Sequence, residues 1–124
     1  MSVQSILDSR RHGLVGCNIV AFGDYRSLLV LRSSHEPSIR RETLDDLCSR
    51  AASVFGRLDA IALAKGLDQP IQTGATVNRM NTMLFARNGA GESEFICLAG
   101  AWPFPTPETF ELTVHTLRDV EACA

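Results

Sequence analysis

The sequence predicts an α+β fold: a five-stranded antiparallel sheet with one long central helix across it, in the order α-β-β-α-β-β-β-α. Three observations predict it. Residues 42–65 keep an unbroken helical periodicity. The segments on either side of them alternate, or run apolar, over strand length. The last three strand candidates lie too close together for parallel pairing, which needs a longer crossover.

Taken in order, the first element is a short helix over residues 2–11, with Val3, Ile6 and Leu7 at helical spacing behind Ser2, a good N-cap. From Leu14 to Phe22 the chain reads as a strand, with Val15, Cys17, Ile19 and Ala21 on one face and Gly16, Asn18, Val20 and Phe22 on the other. Gly23 and Asp24 supply turn chemistry, Leu28–Arg32 returns as the second strand, and Pro37 ends it. In the central helix Leu44, Leu47, Cys48, Ala51, Val54, Phe55, Leu58, Ile61 and Ala62 form the apolar stripe. Gly66 is its expected stop, with Pro70 shortly after. Strands are then expected at Ile71–Asn78, Thr82–Arg87 and Glu94–Ala99, the last pair joined through Asn88-Gly89-Ala90-Gly91. Thr106 and Pro107 open a final helix, whose stripe is Phe110, Val114, Leu117 and Val120.

With 124 residues, 45% hydrophobic and 21% charged, the chain suits one domain spanning residues 1–124. A net charge of -2 argues against a duplex-binding surface, and the Arg10-Arg11 and Arg40-Arg41 pairs read as solvated helix ends. No apolar run reaches the ~20 residues that cross a bilayer, so membrane insertion is not expected. The first residues lack the pattern of an export signal, and a cytoplasmic location follows as the expectation. Cys17, Cys48, Cys97 and Cys123 are scattered through apolar patterns without a C-x-x-C pair, as buried thiols would be.

Several stretches resemble the Roadblock (dynein light chain) family. They are Gly13–Asp24, like that family's first strand and turn, the helix Glu42–Lys65, and Thr76–Gly89 continuing into Phe95–Ala99, like its last three strands. The resemblance covers residues 2–100 and implies a fold of the Roadblock/profilin type. It further implies a homodimer that binds a small Ras-like GTPase or serves as an assembly subunit, with no catalytic residues and no cofactor. One departure stands out: Gly23-Asp24-Tyr25-Arg26 lacks the family's usual second turn glycine.

The residues carry their own hint of self-association. Ser49, Ala52, Ser53, Gly56 and Ala60 line a narrow stripe of small side chains on the central helix. Gly56 costs the helix about 1 kcal/mol relative to alanine, which the approach of a second backbone would offset. A contact between helix and sheet within one chain, or a plain place on the surface, would explain the stripe equally. The uncharged face Gln72-Gly74-Thr76 belongs either to a pairing-prone edge or to a central strand. Trp102 and Phe104, in Ala-Trp-Pro-Phe-Pro, are candidate partner anchors, although covering the core is the favoured role for this loop.

Catalytic signatures are missing. His12, His35 and His115 stand apart without ligand spacing, there is no nucleophile elbow and no phosphate loop, and neither a metal nor an enzyme activity is expected. The alternative to a dimeric adaptor is a type III secretion chaperone, which resembles three strands before a shorter middle helix. A small-molecule sensor with a pocket beneath the sheet is a third class, with no motif behind it.

Overall fold

The computed structural model describes residues 2–67, 72–78, 81–89 and 92–123. The elements are α1 (Val3–Gly13), β1 (Cys17–Asp24), β2 (Leu29–His35), α2 (Arg41–Lys65), β3 (Thr73–Val77), β4 (Thr82–Ala86), β5 (Glu94–Gly100) and α3 (Pro107–Cys123). The strands form one antiparallel sheet in the order β2-β1-β5-β4-β3, which leaves β2 and β3 at the edges. Pro70, Ile71, the Arg79-Met80 turn and Ala90-Gly91 lie outside the described residues.

Two cores follow from the strand alternation. Ile19, Ala21, Phe85, Phe95 and Cys97 face α2, meeting Leu47, Cys48, Ala51, Val54 and Phe55. Val20, Ala86, Ile96 and Leu98 face the other way and are covered by α1 and α3 through Ile6, Leu7, Leu117 and Val120. The sheet is therefore a filling between helical layers, which is why β4 and β5 are buried almost throughout.

α2 runs 25 residues without a break. Gly66 stops it in the left-handed region at φ 65°, and the amide of Leu67 returns to the carbonyl of Ala62 at 3.0 Å. At the other end of the chain, the Ser2 side chain caps α1 by accepting from the amide of Ser5 at 3.1 Å.

Several expectations need correction. β1 begins at Cys17 rather than Leu14, because Gly16 takes φ 84° and the amide of Cys17 closes a turn onto the carbonyl of Leu14. Val15 is thereby left 92% exposed. A register shift against β5 between Cys17 and Ile19 then rotates Cys17 away from Ile19 and Ala21 into the opposite core. In the first hairpin Leu28 takes the left-handed conformation, at φ 60°. Asp24 holds that turn by accepting from the amides of Arg26 and Ser27.

The buried face of α3 is Thr113, Thr116, Leu117 and Val120, while Phe110 and Val114 are only half-buried. The two threonines can turn inward because each hydroxyl donates to the carbonyl one turn earlier, at 2.7 Å. Arg10 and Arg11 are not solvated ends. Arg10 bonds Thr116 and Asp119 of α3, and Arg11 bonds Ser34 of β2, so together they fasten α1 to its neighbours. Cys17, Cys48 and Cys97 are buried as expected, but Cys123 is exposed on the last turn of α3.

Candidate interaction surface

The small stripe of α2 lies on its outer side. Ser49, Ser53, Gly56 and Ala60 are exposed and Ala52 is half-buried, whereas Val54 and Phe55 point into the core. A Cβ placed on Gly56 would find no atom of the described residues within 4 Å. Among the described residues nothing in its own subunit asks for glycine there, and the stripe makes no contact with the sheet: it lies on the surface. The same line of positions continues to Leu63, which is 84% exposed, and to Leu67 just past the helix. Leu63 escaped the sequence reading, although it sits seven residues from Gly56 and so on the same face.

β3 is an edge strand, which settles the second ambiguity. Its pairing with β4 is regular from Thr73 to Val77 and contains no charged residue. The opposite edge is guarded in ways that β3 is not. β2 carries a bulge where Phe22 and Gly23 meet it, bears Arg32, and has its Ser33 carbonyl capped by the Gln4 side chain at 2.9 Å. Gly74 itself has an internal task. A Cβ there would lie 2.7 Å from Val54 Cγ1 and 2.9 Å from Leu58 Cδ1, so its absence lets α2 settle onto β3. Gln72 is exposed, and Thr76 is half-buried on the Gly74 face.

Arg87 lies just past β4, at the end of the strand that the sequence predicts. It is 2% exposed and reaches under α2. Its guanidinium stacks 4.5 Å from the centre of the Phe55 ring, grips both carboxylate oxygens of Asp59 and lies 3.3 Å from the Tyr25 hydroxyl. Tyr25 in turn donates to the carbonyl of Glu92 at 2.8 Å. Burial alone would disfavour the charged guanidinium, but the bonds to Asp59 and Tyr25 outweigh it and raise its pKa. The hydrogen bond from Arg87 holds the Asp59 carboxyl below its ordinary range. A mostly exposed helix position gave no sign of this pairing, since its partner is 28 residues away.

The Trp102 loop divides its roles. Trp102 covers the core, donating from Nε1 to the carbonyl of Val15 at 3.0 Å and packing against Gly16 and Gly100. Phe104 does not follow it inward and is 62% exposed. Among the described residues, no three His, Cys, Asp or Glu side chains converge as metal ligands. A groove of about 460 Å³ runs between β2 and α2, with Leu29, Val30, Ile39 and Leu44 in its wall, and so lies at the rim of the sheet. No described helix is long and apolar enough to cross a membrane.

No protein-family profile and no curated protein sequence matches the chain. Solved structures do. The chain superimposes on a Roadblock/LC7 domain from Streptomyces avermitilis with TM-score 0.79 and 6% identity, covering 98% of this chain and 97% of that one. The gliding protein MglB from Thermus thermophilus matches with TM-score 0.67 and 20% identity, over 98% and 85% of the two chains. A further MglB structure, described as having a tetrameric arrangement, gives 0.69 and 21% over the same shares. The chain has the Roadblock fold, as the resemblance of its strands and long helix implied.

Proposed function

We propose that residues 1–124 form a single Roadblock-like domain that acts as a non-catalytic homodimeric adaptor or regulator in the cytoplasm, with a small Ras-like GTPase as its partner. The observation that carries the reading is the open space over Gly56, on a helix that lies above an unguarded sheet edge. A twofold axis through Gly56 would set Ala52 of one copy against Ala60 of the other, and Ser49 against Leu63. A symmetric interface needs that kind of self-complementarity, small against small and recess against leucine. Pairing of β3 with its twin would extend the sheet across the same axis, with Gln72, Gly74 and Thr76 beside the junction. The tetrameric arrangement of the MglB neighbour supports self-association in this fold. Trp102, tied into the core, is left as support for its loop, and Phe104 is the exposed anchor offered to a partner.

The GTPase as partner rests on the Roadblock resemblance. The chaperone alternative gains nothing from two strands preceding a 25-residue helix. Light scattering at micromolar concentration should give twice the 13.5 kDa protomer mass, and Gly56→Arg should return it to the monomer. Pull-down with a Ras-like GTPase should retain the protein in a nucleotide-dependent way. Capture of an unfolded effector segment instead would transfer the assignment to the chaperone class.

A further inference from the structure

We propose that Arg87 and Asp59 form a latch, buried at its Arg87 end, that fixes how α2 stands over β3, and so shapes the self-association surface without Arg87 touching a second copy. This rests on the self-association reading above.

Four observations converge on it. The Arg87 side chain is wholly buried, so any influence it has on a partner must pass through other residues. Its planar fork meets the Asp59 carboxylate at both oxygens, and its central carbon sits 4.5 Å from the centre of the Phe55 ring, two contacts that both depend on where α2 stands. The backbone amide of Arg87 donates to the carbonyl of Gln72 at 2.9 Å, so the residue that holds α2 also ties down the start of β3. Finally, there is little slack between the two elements. Val54 and Leu58 already occupy the space above Gly74, and Asp59 is the next residue along.

The consequence is geometric. The outer stripe belongs to α2 and the open edge belongs to β3, so a second copy can engage both only when their separation and angle are fixed beforehand. Preorganisation of this kind strengthens binding by reducing what must be ordered on association. Asp59 remains the accessible end of the latch, half-exposed beside Ala60, while Arg87 is its hidden end.

The test uses Arg87→Lys, which keeps a positive charge but loses the fork, at a site no partner can reach. Amide hydrogen exchange is followed in the monomer, in a Gly56→Arg background, and the dimer dissociation constant is measured without that change. The latch predicts exchange at least tenfold faster in Thr73–Val77 and in Phe55–Ala62, little change in β1 and β5, and a dimer at least tenfold weaker. Asp59→Asn provides the same readout should Arg87→Lys fail to fold. Arg50→Gln, which breaks the exposed Arg50–Asp46 pair on the same helix, should move neither quantity. Unchanged exchange in β3, or a uniform rise across the whole sheet, would overturn the latch. A wild-type protein that stays monomeric at every concentration would remove the self-association reading, while the exchange pattern would still decide whether Arg87 locks α2 to β3.

Discussion

A leucine in the left-handed region carries a conformational cost that glycine does not, and Leu28 bears that cost in full view of solvent at 53% exposure. The Leu28→Gly protein should be more stable by about 0.5–1 kcal/mol in urea denaturation, the relief at the turn being partly offset by the freer unfolded chain. A loss of stability would mean that the leucine side chain contributes packing the turn needs. The departure from the Roadblock turn was legible in the sequence, as Gly23-Asp24-Tyr25-Arg26 without its second glycine, but the left-handed leucine two residues further on was not. Backbone sign is set by how the flanking strands register, and β2 pairs with β1 through a shift between Phe22 and Gly23 that no local pattern announces.

At the same scale, Asp59 makes stability depend on acid. Its folded pKa lies below the ordinary 3.8 because Arg87 bonds the carboxylate. The folded state then holds the Asp59 proton less readily than the unfolded state. The contribution is present above the unfolded value and is lost as pH falls through the folded one. Asp8, bonded by the Ser34 hydroxyl, is lowered as well. So is Asp24, where burial acts upward but the amides of Arg26 and Ser27 and the Ser93 hydroxyl act more strongly downward. Between about pH 5 and pH 8 the urea midpoint should therefore be flat, and it should fall towards about pH 3, with Asp59→Asn flattening part of that slope. An unaltered slope in the variant would show that Asp59 carries none of it.

Among the elements, α2 was the most legible and the edges were the least. Helical periodicity from Leu44 to Ala62 survives in the structure because one face meets the sheet over almost its whole length. It fails at Ile61, which is 44% exposed although Ala62 beside it is buried. Strand order is a different kind of fact. That β3 is an edge and Gly74 lies beneath α2 follows from which hairpins stack beside which, and alternation along one strand carries no such information. Gly74→Ala should be destabilising by about 1–3 kcal/mol, because the new methyl meets Val54 and Leu58 inside normal contact distance. Equal stability of the variant would show that α2 can lift from β3 at no cost. On α3 the apolar reading favoured Phe110 and Val114 over threonines that hide their hydroxyls in the helix backbone, a device that hydropathy counts as polar.

For the molecule as a whole, burial divides the two faces of α2 into two tasks. The inner face completes a core with Phe85 and Phe95, and the outer face keeps a glycine that no described residue of its own subunit crowds. The candidate surface was legible in part. Small residues at helical spacing are visible in any sequence, but their exposure depends on how the helix is rotated on the sheet, and Arg87 and Asp59, which fix that rotation, are distant in sequence. Cross-linking addresses the surface most directly. In a Cys123→Ser background, which removes the exposed native thiol, Gly56→Cys should form a covalent dimer of twice the 13.5 kDa protomer under mild oxidation, much faster than Glu111→Cys on α3. A protein that stays at the protomer mass, or cross-links no faster at Gly56 than at Glu111, would contradict a twofold contact through α2.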